Sequence, residues 1–199
     1  MNLHGFIDIR DYRVHLPQSL FPYCGKSILE VSPLGVDPSD PGWLPIDALG
    51  RDFFHPAFSK RNPLNIPGPF YGAETDTCET GPHEAPGNVL MDRQGQEFVF
   101  KQPTNSVELR DVLSAALCEC FCGYGADGDD KWTLPLIRDW WQTRFDLLES
   151  ADGLGGDTHS LRLWKRLLSG EAEGYLRVYA FFVEEGRVPT ASDILPDVS

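Results

Sequence analysis

The sequence predicts an α+β fold, with strands and loops in its first half and helices in its second. Three observations carry that reading. Prolines and glycines recur every few residues from 32 to 87, which argues against a long helix or a central strand there, because proline lacks a backbone donor and fixes φ. Two short runs containing Val, Leu and Phe flank a glycine-bearing link at residues 93–95, the pattern of a β-hairpin. Beyond residue 104, apolar residues recur at intervals of three and four, the period of an amphipathic helix. Strands followed by helices, rather than alternating with them, is the order of an α+β chain.

Element by element, residues 6–14 mix apolar and charged side chains without helical spacing and suit an extended segment, and residues 27–31 form a second candidate strand. The proline-rich stretch also carries Trp43, Phe53, Phe54, Phe58, Phe70 and Tyr71, so it reads as an ordered, packed meander rather than a linker. The hairpin pairs residues 88–92 with 96–100, and Gly95 supplies the φ > 0 that its turn needs. Asn105 caps a first helix, with Glu108 in capping-box position. Its stripe is Leu109, Val112, Leu113, Ala116, Leu117 and Cys120, ending near residues 122–123. A second helix starts after Thr133, tolerates Pro135 in its first turn, and presents Ile137, Trp140, Trp141, Phe145 and Leu148. A third starts at Asp157 or Thr158, presents Leu161, Trp164 and Leu168, and stops at Gly170. Ala172, Tyr175, Val178, Tyr179 and Phe182 again have helical spacing. Their β-branched and aromatic neighbours also suit a strand; the spacing favours a helix. The expectation is one domain over residues 1–199, with a β and loop half over about 1–103 and a helical half over about 104–199.

Seventeen Lys and Arg stand against thirty Asp and Glu, a formal net charge of −13. Such a field repels nucleic-acid phosphates and anionic membrane surfaces. It attracts basic proteins and speeds encounter with them. The five cysteines, Cys24, Cys78, Cys118, Cys120 and Cys122, are odd in number, and residues 1–8 have neither the basic nor the apolar region of an export signal. No apolar run approaches a membrane span. Free thiols and a cytoplasmic location are therefore expected.

Several motifs match in letters but not in mechanism. Residues 123–128 read G-x-G-x-x-G, yet a helix precedes them, and Asp127, Asp129 and Asp130 would oppose a pyrophosphate. Asp127 and Asp129 could begin a calcium loop, but Lys131 and Arg138 occupy ligand positions. Cys118, Cys120 and Cys122 cannot all share one helical face, and zinc would also need residues such as Cys78 and His83. No cofactor and no metal are expected. Asp76, Cys78 and His83 in one loop offer a thiol, a base and an orienting carboxylate, the alternative of a hydrolase or thiol-dependent enzyme. His4, His15, His55 and His159 are scattered.

What remains is a distribution of charge. Glu74, Asp76, Glu79 and Glu84 follow Tyr71 with no Lys or Arg between them, and Glu119, Asp127, Asp129 and Asp130 surround Tyr124, with Trp132 adjacent. Carboxylates interleaved with aromatics suit a basic partner surface: charge steers and the aromatic rings anchor. In size, acidity and texture the whole chain resembles the bacterial immunity proteins that block secreted polymorphic toxins. The resemblance implies a one-to-one complex that occludes the active site of a toxin enzyme, often a basic nuclease, with no nucleic-acid or membrane partner of its own.

Overall fold

The structure, a computed structural model, describes residues 56–104, 106–151, 154–155 and 158–199. The two candidate strands at 6–14 and 27–31, the capping residue Asn105 and the start at Asp157 lie outside the described residues. Within them the order is β1 (Tyr71–Gly72), α1 (Thr80–Glu84), β2 (Val89–Met91), β3 (Glu97–Val99), α2 (Ser106–Cys118), β4 (Tyr124–Gly125), α3 (Leu134–Gln142), α4 (Arg144–Ser150), α5 (Thr158–Arg166) and α6 (Glu173–Glu185). Short strands give way to helices, and the fold is α+β.

The hairpin is β2 against β3, antiparallel, with Val89 opposite Val99 and Met91 opposite Glu97. Gly95 takes φ 81°, and the Asp92 carboxylate accepts the amides of Gln94 and Gln96, so the turn carries its own Asx bonds. A second antiparallel pair joins β1 to β4, Tyr71 opposite Gly125 and Gly72 opposite Tyr124.

Strands this short leave many backbone groups unpaired, and side-chain amides take them up. Asn65 accepts the amides of Gly72 and Val99, both at 2.8 Å, and donates to the carbonyls of Asn62 and Gly72. Gln102 does the same for Phe70 and reaches the Ile66 carbonyl. These two buried amides knit the proline-rich meander to the hairpin where Pro63, Pro67 and Pro69 have no amide to offer.

The helical half closes over this layer. Trp164 is fully buried and meets Phe98, Phe100 and Trp140 at ring-centroid distances of 5.8, 6.4 and 6.1 Å. Polar tips tie the halves together: Trp140 donates to the Pro63 carbonyl, Tyr175 to Pro67 and Ser160 to Pro86.

Two helix boundaries differ from expectation. The first helix ends at Cys118, four residues early, because the Glu119 side chain folds back onto the amides that would continue it. The second breaks at Thr143, whose hydroxyl bonds the Trp140 carbonyl while Arg144 bonds that of Trp141. The break turns Phe145 outward to 58% exposure instead of into the core. At Gly170, whose φ of 140° is non-helical, the third helix breaks at a kink, as expected, and α6 restarts at Glu173. The ambiguous stretch is helical, as its spacing favours, and Gly186 caps it at φ 73°.

Replacing Asn65 with Ala orphans two buried amides, each costing about 1–3 kcal/mol. The expected outcome is a urea-midpoint loss as large as a core truncation, with Asn65→Asp also destabilising because its buried carboxylate would face the Asn62 and Gly72 carbonyls.

Candidate functional site

The two acidic segments singled out by sequence meet in space at one corner. They are joined by carboxylates that point inward. Asp76, 4% exposed, accepts the Cys78 amide on Oδ1 at 2.8 Å and the Cys120 amide on Oδ2 at 3.0 Å. Glu119, 2% exposed, reciprocates: it accepts the Asp76 amide at 2.6 Å and those of Phe121 and Gly123. Each acid thus secures the other's segment. Ala73 adds a backbone bond to the Gly123 carbonyl, and a side chain at Gly123 would strike the Glu74 carbonyl.

Glu97 lies beneath, fully buried on β3, accepting the Gly81 amide and the Tyr124 hydroxyl, both at 2.7 Å, while its own amide donates to Thr75. Gly81 has no substitute here, since a Cβ would strike the Glu97 carboxylate.

The protonation chemistry follows from this wiring. Burial raises the Glu97 carboxyl above its ordinary value, and the bonds from Tyr124 and Gly81 only partly offset it. Burial and the adjacent Glu97 push Tyr124 far above an ordinary phenol. Burial also opposes charge on Asp76, but the bonds from Cys120 and Cys78 together outweigh it and hold the carboxyl below its usual value. The Asp76 charge raises the Cys78 thiol, and hydrogen bonding to Asp76 raises Cys120. An orienter for a thiolate nucleophile should do the reverse. Asp76 is committed to two backbone amides, and His83 stands exposed on α1. Among the described residues, no group of three or more His, Cys, Asp or Glu is arranged to hold a metal ion.

Of the side chains expected to meet a partner, five are turned inward. Tyr71 and Tyr124 are fully buried, Trp132 is 3% exposed, and Asp76 and Glu119 are the bridging acids. The reason is local: the Tyr71 hydroxyl donates to Asp127 at 2.7 Å, Tyr124 reaches Glu97, and Trp132 packs edge-on against Phe58 with the Arg61 guanidinium over its ring. Asp127 and Asp129 are half-buried acceptors for Tyr71 and Tyr179, serving the core on another side of the meander. Asp130 is exposed beside them. Glu84 is half-buried and accepts the Ser114 hydroxyl. Glu74 and Glu79 are exposed, Glu74 beside Lys60 at 3.0 Å.

The corner's exposed anchor is a residue that sequence reasoning missed. Phe121 is 72% exposed although both flanking segments are hydrogen-bonded in place. The sequence carries no signal for it: four residues beyond Leu117, Phe121 continues the helical spacing and reads as core-facing. Cys78, Cys118 and Cys120 are exposed around it, while Cys122 is half-buried with a left-handed φ of 54°.

A separate hollow of about 210 Å³ opens near the Gly170 kink, between apolar Ile66, Leu163 and Leu167 and polar Lys101, Gln102, Thr104, Glu171 and Tyr175. Its polar groups are bonded elsewhere in the fold: Gln102 and Tyr175 to backbone carbonyls, Lys101 and Thr104 to Glu108, and Glu171 to Arg166. No helix among the described residues is long and apolar enough to cross a membrane. Compared with known proteins, the chain matches no family model, no curated protein and no solved structure.

Two outcomes are expected. Glu119→Ala should lower stability by more than about 3 kcal/mol, since three amides lose their acceptor at about 1–3 kcal/mol each, with Glu119→Gln recovering part of the loss in urea unfolding. For Glu97, whose folded pKa is raised, the unfolded chain releases its proton first, so stability falls as pH rises from the ordinary carboxyl value to the raised one. Asp76, with a lowered folded pKa, contributes stability above the ordinary value that is lost as pH falls toward the lowered one. Urea midpoints across pH should show the Glu97 decline in the parent and not in Glu97→Gln.

Proposed function

We propose that this chain is an acidic binding protein whose partner is a basic protein, and that it acts as an immunity protein by covering the active site of a toxin enzyme. The observation that supports the reading is the corner itself. Residues 73–79 and 119–123 are clamped together by buried carboxylates, and they hold Phe121 out in solvent, with Glu74 and Glu79 exposed on the adjoining segment. An exposed aromatic on a pre-organised loop, with carboxylates nearby, is the anatomy of an interface anchor with a steering rim. A net charge of −13 extends the attraction to longer range. Lys and Arg that contact substrate in a basic enzyme are the groups such a rim would meet.

The test is affinity capture from the native cell, followed by purification of the captured pair. A basic partner of one-to-one stoichiometry should bind more weakly as salt rises. Phe121→Ala should weaken binding by about 30-fold, equivalent to an anchor of about 2 kcal/mol, without moving the unfolding midpoint. Glu74→Lys with Glu79→Lys should slow association more than it speeds dissociation. A partner whose binding ignores both Phe121 and salt would sink the proposal, as would an enzymatic activity lost on Cys78→Ala with the fold intact.

A further inference from the structure

The two thiols beside Asp76 form a unit that the binding reading does not use. Cys78 and Cys120 lie 42 positions apart in the chain, yet their amides sit on the two oxygens of one carboxylate, at 2.8 and 3.0 Å. That geometry bounds the two amide nitrogens at about 8 Å, and both thiols lie in hydrogen-bonding reach of the same carboxylate; a disulfide spans a Cα separation of roughly 4.4–6.8 Å, so closure needs at most a small approach of the two loops. Both residues are exposed. The backbone on each side is anchored by Glu119, which accepts the amides of Asp76 and Phe121, so the pair is held in register rather than meeting by chance.

We propose that Cys78 and Cys120 are a modification site: a dithiol that closes to an intramolecular disulfide by exchange with a low-molecular-weight disulfide such as glutathione disulfide. One protein thiol loses its proton and attacks a sulfur of the oxidant. The oxidant's S–S bond breaks, a mixed disulfide forms, and a glutathione thiolate leaves and takes up a proton. The second protein thiolate then attacks the protein sulfur of the mixed disulfide and expels the second glutathione. Two protein thiols are oxidised and one disulfide is reduced to two thiols. Asp76 also sets the rate, because its charge and hydrogen bonding hold both thiols protonated and the thiolate is the attacking species. Exchange at the site is therefore slow at neutral pH. Closure would staple the 119–123 loop to the 76–79 loop and fix the backbone from which Phe121 projects.

Cys118 is the rival partner, since its carbonyl lies 4.0 Å from the Cys120 sulfur and it is also exposed. The test uses the isolated full chain, so it stands apart from whether a basic partner exists. After incubation with glutathione disulfide and blocking of residual thiols, intact mass should show three blocking groups on the five cysteines, loss of two hydrogens and no added glutathione. Peptide mapping without reduction should join the peptide containing Cys78 to the one containing Cys120. The cross-link should persist in Cys118→Ser and in Cys122→Ser. It should vanish in Cys78→Ser and in Cys120→Ser, each of which should instead retain a glutathione adduct on the remaining thiol. Cys78→Ala and Cys120→Ala, with urea midpoints like the parent, guard against misfolding as the cause. The closure rate should rise at least tenfold between about pH 7 and about pH 9, following the thiolate fraction. A cross-link that survives Cys78→Ser, one that joins Cys118 to Cys120, or glutathione adducts on both cysteines without closure would each overturn the proposal.

Discussion

Three buried carboxylates hold the loops around residues 73–81 and 119–124 together. Asp76, Glu97 and Glu119 all lie under 5% exposed, and each uses both its oxygens on backbone amides or a phenol. Burying charge is costly unless hydrogen bonds replace the lost water. The charge-assisted bonds from amides are the strong kind, and here they stand in for secondary structure that the sequence does not supply. The β1–β4 ladder is two residues long, too short to set the geometry of its flanking loops. Asp76 and Glu119 set it instead, each accepting amides from the other's segment.

This wiring changes what the acidity means. Part of the carboxylate content is internal scaffolding, so the net charge overstates the negative surface at the corner. The acids that remain outside, Glu74 and Glu79, are few but fixed to a rigid backbone, and Phe121 is fixed with them. Little conformational entropy is left to lose there on association, which favours a binding corner over a flexible acidic loop. The same rigidity positions Cys78 and Cys120, so the binding surface and the thiol pair share one structural cause.

The helical half is organised differently, by aromatic packing. Trp164 touches rings from the hairpin and from α3, and Tyr175 and Tyr179 stack at 5.9 Å on α6. The kink at Gly170 between α5 and α6 leaves Leu168 and Leu176 fully buried on its two sides. The hydroxyls of Tyr175 and Tyr179 then reach back to Pro67 and Asp129, docking the helices on the meander.

By itself the sequence determined what depends on neighbours along the chain. The hairpin was legible because Gly95 and the Asp92 turn bonds are local, and the helices because core-facing Leu, Trp and Tyr recur at the helical period. The two acidic segments were also legible, each by itself; that they meet was not. Nor was which way their side chains face. Tyr71, Tyr124, Asp76 and Glu119 read as surface residues in sequence, and only the tertiary structure buries them, because their partners lie tens of positions away: Asp127, Glu97, Cys120 and the Asp76 amide. Phe121 shows the converse, an apolar residue left outside because Glu119 ends its helix early. Burial of a polar group is decided by whether a partner arrives to replace water, and that partner comes from the fold rather than from the adjacent chain.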